Sequence, residues 1–430
     1  MNAKEGDCVR VICKDESIEG VLLPSKEDFI TLKLSSGYNL GIERSRIVNI
    51  ELLQPKTPKP TEKKPIKVSP NLPTISILHT GGTIASKVDY DTGSAGPHFT
   101  PEDLLEMFPE LSKLANIRSR LVASMWSQDM RFSHYNFLAK EVEREIAQGA
   151  DGIIIPQGTD YIHYTAAALS FIFESLPIPI LIVGAQRSSD RGGSDAALNL
   201  LSAIYFMTKT DFAEVGVCMH AHMSDSECWI LPGTKCRKMH TSRRDAFRPI
   251  NEQAWAYVNF LEENITWVRK EYKKKEKKKP VLKLFKDNIK VGLLKTHPNM
   301  FAEEFSFFED YDGLVLEASG LGCLPITEKD EMTRESGRIK HSLSTLLKKG
   351  IAIVEAPQTL YGRINMNVYD DQRIAQEMGI LGHLCDMTPE TAFIKLAWLL
   401  SNYKKDKIKE LYEKNLRGEI SDRSTDYFLV

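Results

Sequence analysis

What most constrains this chain is a design repeated at two strand ends. Ile75-Ser76-Ile77-Leu78 is an apolar run that gives way to His79-Thr80-Gly81-Gly82-Thr83-Ile84-Ala85. Gly152-Ile153-Ile154-Ile155-Pro156 is a second run that gives way to Gln157-Gly158-Thr159-Asp160. Short continuous apolar runs bounded by glycine read as fully buried strands. In an open α/β sheet, ligands bind outside the carboxyl ends of such strands. Glycine, without a Cβ, lets the backbone turn sharply there and approach a ligand. Packing does not require a threonine at both ends, nor a carboxylate beside the second.

The pattern continues along the chain. Residues 120–125 read as a strand that delivers Ser127 and Gln128, and 132–148 as an amphipathic helix. A helix is expected over about 164–173. A strand over 178–183 ends at Gly184, a helix covers 198–209, and a strand covers 214–220 before the loop that holds Lys238. Strands alternating with helices through glycine loops indicate a mostly parallel sheet. Between the two motifs, residues 87–99 are polar and contain Gly93 and Gly96, a candidate lid after a reactive strand end. Thr100-Pro101-Glu102-Asp103 then reads as a helix start. A second α/β unit is expected from about residue 289, with strands at 290–294, 313–316 and 350–354. Its helices fall at 329–348 and 389–402, the last capped by Thr388 with Pro389 at its first position.

Before all this lie five short Val/Ile/Leu-rich segments, at 7–13, 18–23, 29–34, 38–42 and 47–52. That spacing suggests a small Sm-like or SH3-like β-barrel, either a docking or RNA-contact surface or a structural appendage. A Pro/Lys-rich segment with no apolar residues follows and reads as an extended linker. With 430 residues, more than one core is expected. The plan is therefore a barrel over 1–54, a linker over 55–71, an α/β domain carrying the active site over 72–268, a basic linker over 269–288 and a second α/β domain over 289–430.

A net charge of -2 gives no global pull toward nucleic acid, so RNA contact falls to local patches or a partner. The lysine run within 269–280 reads as a solvated interdomain segment, or as a contact with RNA phosphates. Seven scattered cysteines without a CxxC pair point to a reducing cytosol. No signal peptide and no membrane-spanning run are visible, so a cytoplasmic location is expected. There is no P-loop, no GxGxxG and no metal-ligand cluster, hence no visible means of activating a carboxylate with ATP and no expected metal.

The two strand-end motifs resemble the signatures of the bacterial-type L-asparaginase/glutaminase family of amidohydrolases. Ser127-Gln128-Asp129-Met130 between them is similar to that family's substrate-carboxylate loop, and Lys238 falls where the family carries a catalytic lysine. The likeness runs from about Leu72 onward. Within the family it is greatest to the D subunits of archaeal glutamyl-tRNA(Gln) amidotransferases. It rests there on Gly184-Ala185-Gln186-Arg187, Asp195-Ala196-Ala197-Leu198-Asn199-Leu200 and Asp386-Met387-Thr388-Pro389, and on the N-terminal extension. The resemblance implies an asparaginase-like fold in which Thr83 is the nucleophile, Thr159 orients and activates the attacking group or water, and Lys238 is its basic partner. Asp160 then binds the substrate ammonium, Ser127 and Gln128 its carboxylate, and backbone N–H groups at the Gly82 and Gly158 turns the developing oxyanion.

It further implies a glutaminase component of a carbon–nitrogen ligase. This chain would hold no cofactor. A transamidase partner, the E subunit of the same enzyme, would bind ATP, magnesium and most of Glu-tRNA(Gln), and two copies of this chain would pair within a heterotetramer. The alternatives are a free-standing cytoplasmic L-asparaginase and a catalytically inactive docking or RNA-binding protein. Three positions depart from the family pattern: Gln157 replaces a histidine or small residue, Tyr161 a threonine, and Leu321 a frequent asparagine. Read without the family, Lys238 is a surface lysine near Arg237, Arg243 and Arg244, and His79, His163 and His240 form no catalytic arrangement.

Overall fold

The glycine-bounded apolar runs become the parallel half of one large sheet. The structure, a computed structural model, describes residues 3–25, 28–35, 39–55, 69–81, 86–88, 95–97, 109–187, 193–424 and 428.

The N-terminal segments form five antiparallel strands: β1 (Cys8–Cys13), β2 (Ser17–Leu23), β3 (Phe29–Lys33), β4 (Asn39–Glu43) and β5 (Ile47–Gln54). Their order is β4-β3-β2-β1-β5. Alternate residues point inward, as the period-2 geometry of a strand demands, and Val9, Val11, Leu22, Ile30, Leu32 and Ile42 make a small separate core.

The main sheet contains β6 (Thr74–His79), β7 (Asn116–Leu121), β8 (Gly152–Pro156), β9 (Ile180–Val183), β10 (Val215–His220), β11 (Cys228–Pro232), β12 (Ala256–Asn259) and β13 (Asn264–Trp267). Their spatial order is β13-β12-β11-β10-β9-β8-β6-β7. Five strands, β7-β6-β8-β9-β10, are parallel. In chain order these run 2-1-3-4-5, so the winding reverses between β6 and β8. The crevice at the carboxyl ends of those two strands is where such sheets bind ligands. Helices α1 (Phe132–Ala147), α2 (Ile162–Ile172) and α3 (Ala196–Lys209) cover the faces. In α1 the buried Tyr135, Leu138, Ala139 and Val142 recur at helical spacing. α2 is buried on nearly every side.

The second unit has a three-stranded parallel sheet, β14 (Val291–Lys295), β15 (Gly313–Ala318) and β16 (Ala352–Pro357), with helices α4 (Arg334–Lys348) and α5 (Pro389–Asn402). Thr388 accepts the backbone N–H of Thr391 at 3.3 Å, which caps α5. α5 packs against α2, and one continuous core joins Ile153 and Val217 of the first sheet to Val315, Val354 and Leu396 of the second unit. Phe132 stacks between Phe285 and Phe393 at this junction, with centroids 4.8 and 5.7 Å away.

Three local expectations change. The strand expected at 120–125 lies at Asn116–Leu121. β6 ends at His79, whose carbonyl accepts the N–H groups of both Val122 and Ala123, so the pairing stops and the apolar 122–126 segment turns over the strand end. Lys238 sits in a two-stranded ribbon, Cys236–Lys238 paired with Phe247–Pro249, rather than in a loop. The antiparallel strands β11 to β13 extend the sheet where none were expected. The lysine run is loop, tied to the sheet through Lys273 O, which accepts from Ala213 N at 2.8 Å, and through Lys275 Nζ, which donates to Met207 O at 2.8 Å. Of the candidate lid, Ser86–Val88 and Ala95–Pro97 form a small antiparallel pair. Its other residues, and the expected helix start at Thr100, lie outside the described residues.

Candidate active site

The two strand ends are tied together before any side chain of the site is placed. Thr80 donates both its hydroxyl and its N–H to Pro156 O, at 2.9 and 3.2 Å. Gly81 follows at φ 105°, and a Cβ there would stand 2.7 Å from Met125 O, so this position admits only glycine. Gly82 and Thr83 come next and lie outside the described residues. Met125 N in turn donates to Thr80 O at 3.1 Å, which brings the following Ser127–Asp129 turn over the crevice. Ser127 is buried there. Its Oγ lies 3.3 Å from where a Cβ on Gly158 would be, so Gly158 leaves the room that Ser127 occupies. Gln128 beside it is exposed.

Thr159 and Asp160 share one 3-10 turn, Thr159–Tyr161, which leads directly into α2. The ribbon carries Lys238 up to them. Its Nζ is 2.8 Å from Thr159 Oγ1 and 2.8 Å from Asp160 Oδ1. The Lys238 side chain is 11% exposed and that of Asp160 64%, so the amine is sheltered and the carboxylate faces solvent. On its other side Thr159 Oγ1 donates to Gln186 Oε1 at 3.4 Å. A third strand-end glycine permits this approach: a Cβ on Gly184 would fall 2.8 Å from the Thr159 methyl.

The nearby histidines are no bases for this site. Burial, then the charges of Arg237 and Lys238, lower His163 to about 3, so its ring is neutral and almost without basicity near pH 7. Burial alone lowers His79 to about 4, and its Nε2 is paired with Ser119 Oγ at 2.8 Å. His240 Nδ1 accepts two backbone N–H groups, of Ser242 and Arg243.

Two cavities flank the turn. One, of about 490 Å³, is bounded by Asp160, Lys238, His240 and Glu390. Glu390 pairs with Arg237 at 2.9 Å, and burial pushes its carboxyl pKa up. The other, of about 450 Å³, is bounded by Ser127, Gln128, Tyr164, Tyr311 and Phe393. Tyr161 and Tyr164 line both, so the aromatic ring that departs from the family pattern stands with Tyr164 between the two. Among the described residues no cluster of His, Cys, Asp and Glu is placed to hold a metal ion, and no helix is long and apolar enough to cross a membrane.

The arrangement thus brings together Ser127, Gly158, Thr159, Asp160 and Lys238. An amine touching a hydroxyl that borders a nucleophile's strand end can draw a proton through that hydroxyl. Reasoning from the sequence missed Gln186 and its support, Asp195, whose two oxygens accept the N–H groups of Gln186 and Arg187. The signal is present in the chain: Gly184-Ala185-Gln186 is a third strand end of the same glycine-bearing design.

Comparison with known proteins agrees with this geometry. Residues 74–273 match the family described as Asparaginase, N-terminal, and residues 290–412 match Glutaminase/Asparaginase C-terminal domain. Residues 3–53 match GatD N-terminal domain. The chain is 40% identical to the D subunit of the glutamyl-tRNA(Gln) amidotransferase of Methanococcus maripaludis, over 97% of this chain and 98% of that one. It is 40% identical to the corresponding D subunit of Pyrococcus furiosus, over 97% and 94%. Its fold is similar to the thermostable L-asparaginase from Thermococcus kodakarensis, with a TM-score of 0.69 and 26% identity over 81% of this chain and 100% of that one.

Proposed function

Since the chain belongs to the glutaminase/asparaginase family, in its branch of glutamyl-tRNA(Gln) amidotransferase D subunits, we propose that it is the amidohydrolase that releases ammonia from glutamine for that enzyme. The observation that carries the reading is Lys238 Nζ held 2.8 Å from Thr159 Oγ1 across 79 residues of sequence. The hydroxyl of Thr83, on the strand end tied to Pro156, attacks the side-chain amide carbon. Its proton passes to Thr159 Oγ1 as the proton of Thr159 passes to neutral Lys238. That proton returns from Lys238 by way of Thr159 to the amide nitrogen, the C–N bond breaks and ammonia leaves, and water then releases the acid from the acyl-threonine. Asp160 pairs with the substrate ammonium, and Ser127 with Gln128 holds the carboxylate. Backbone N–H groups at the Gly82 and Gly158 turns stabilise the oxyanion in this reading.

The chain acts as one component of a multi-subunit amidotransferase, so it works with a partner. The partner is the transamidase E subunit, which holds ATP, magnesium and most of Glu-tRNA(Gln). Two copies of this chain pair within a cytoplasmic heterotetramer. Support for the partnered over the free-standing reading comes from residues 3–53, which match GatD N-terminal domain and lie outside the two segments, 74–273 and 290–412, that match the asparaginase models. The test is steady-state ammonia release from glutamine and from asparagine by the purified chain, by chain plus partner, and by both with Glu-tRNA(Gln). The expected result is slow hydrolysis alone and acceleration by partner and tRNA. Full activity of the chain alone on asparagine, unmoved by the partner, replaces this reading with a free-standing asparaginase.

A further inference from the structure

Two groups compete for the single hydroxyl proton of Thr159. Lys238 Nζ stands 2.8 Å away on one side and Gln186 Oε1 3.4 Å away on the other. A threonine hydroxyl donates once and accepts through its lone pairs. When Lys238 is an ammonium it donates to Oγ1, and the hydroxyl proton goes to Gln186. When Lys238 acts as a base it is neutral, and the same proton must point at it. Oγ1 then turns a lone pair toward Gln186, where a carbonyl oxygen is the wrong partner. The other end of that amide is Nε2, buried and without a hydrogen-bond partner among the described residues. Turning the amide over brings this donor to Oγ1.

The backbone beneath the amide is held firmly. Asp195, fully buried, accepts the N–H groups of Gln186 and Arg187 at 3.0 Å each, and Asn199 Nδ2 at 3.2 Å. Bonds to an ionised carboxylate are the stronger kind. Asn199 also donates to Gly184 O at 2.9 Å, fixing the glycine against which Thr159 packs. His220 Nδ1 lies 2.6 Å from Asn199 Oδ1 and completes the support. The loop is clamped by its backbone, while the amide has one long bond.

We propose that Gln186 is a positioning residue that sets the direction of the Thr159 proton. At rest its oxygen keeps that proton away from Lys238. During reaction its NH2 group donates to Oγ1 while the proton crosses. The Thr159 O–H bond breaks and an N–H bond forms on neutral Lys238, giving the ammonium. Oγ1 takes the proton of the attacking hydroxyl, so Thr159 is a hydroxyl before and after. The inference rests on the roles of Thr159 and Lys238 given under Proposed function.

The test uses the full chain with its partner and two substitutions of similar size. Gln186→Met neither accepts nor donates, and Gln186→Glu, when ionised, only accepts. Ammonia release from glutamine and asparagine is followed between about pH 6 and 10, with melting temperatures alongside. Gln186→Met is expected to lower kcat about tenfold or more, with KM within about twofold and the pH profile of the wild type. Gln186→Glu is expected to lose more near neutral pH and to regain rate as pH rises. Its profile should move up by about one pH unit, because a carboxylate both keeps the proton and favours the ammonium. A folded Gln186→Met protein with wild-type kcat overturns the assignment, as does a Gln186→Glu loss that is equal at every pH. No ammonia from the wild type on either amide overturns the proposed function and this inference together. Wild-type activity with both variants unaffected overturns this inference alone.

Discussion

Lys235 and Lys238 stand three residues apart, and each meets an aspartate at almost the same distance. Lys235 Nζ is 2.7 Å from Asp386 Oδ1, and Lys238 Nζ is 2.8 Å from Asp160 Oδ1. Their surroundings are opposite. Lys235 and Asp386 are 0% and 3% exposed, whereas Asp160 is 64% exposed. Lys235 has further partners in Asp386 O and Ser421 Oγ, and burial lowers its pKa against the pull of Asp386. Distance alone therefore says nothing of what an ion pair does. The buried pair crosses between the two α/β units and is committed to holding them. The open pair shares its amine with the hydroxyl of Thr159, the contact on which the proposed proton transfer rests.

The largest expected effect tests the open half of this contrast. Lys238→Met should cut kcat for amide hydrolysis on the order of 10²–10⁴-fold while leaving the melting temperature nearly unchanged. Thr83→Ala should abolish ammonia release in a folded protein. A turnover number unchanged in either variant breaks the contrast from the functional side.

Next comes the buried half. Lys235→Met leaves Asp386 as an unpaired interior charge, so urea denaturation should show a loss of about 3–5 kcal/mol. Replacing both partners, Lys235→Met with Asp386→Leu, should recover most of it. A loss within about 1 kcal/mol for the single change, as an exposed pair gives, would erase the distinction. Asp160→Asn is the matched control: about 0–1 kcal/mol in stability, with the effect on activity appearing mainly in KM.

The smallest effect comes from a buried carboxyl. Glu355 on β16 is fully buried, its two oxygens lack hydrogen bonds among the described residues, and burial raises its pKa well above the usual carboxylate range. A raised folded pKa means that its contribution is fully present below the unfolded value, about 4.3, and is lost as pH rises from there toward the folded value. Glu355→Gln should therefore gain in melting temperature relative to wild type as pH increases from about 4 to 7. A difference that is flat with pH would mean that Glu355 is paired after all.

Much of this molecule is legible in the sequence because its signals are local. Thr159 and Asp160 follow an apolar run directly, and the parallel strands announce themselves as Ile/Val runs ending in glycine. The N-terminal strands carry the period of two. What escapes is set by distance. Lys238 lies 79 residues from Thr159 in sequence, and no spacing rule joins them; only the resemblance suggests the meeting that the geometry displays. Val122-Ala123-Ser124-Met125 reads as strand from composition, yet the N–H groups of Val122 and Ala123 are taken by the end of β6. Strands β11 to β13 are short, and their pairing is decided by tertiary context rather than propensity. Gln186 stands out in the sequence by likeness alone, since its role depends on a carboxylate nine residues later.

The partner of Lys235 has a consequence in time. Asp386 lies 151 residues beyond it. At about 5–20 residues per second, synthesis reaches Asp386 roughly 8–30 s after Lys235. During that interval the first α/β unit carries a cation destined for a dry interior, and its aspartate partner is not yet made. The interior charge of the first unit is thus satisfied by its aspartate only once the second unit has been made.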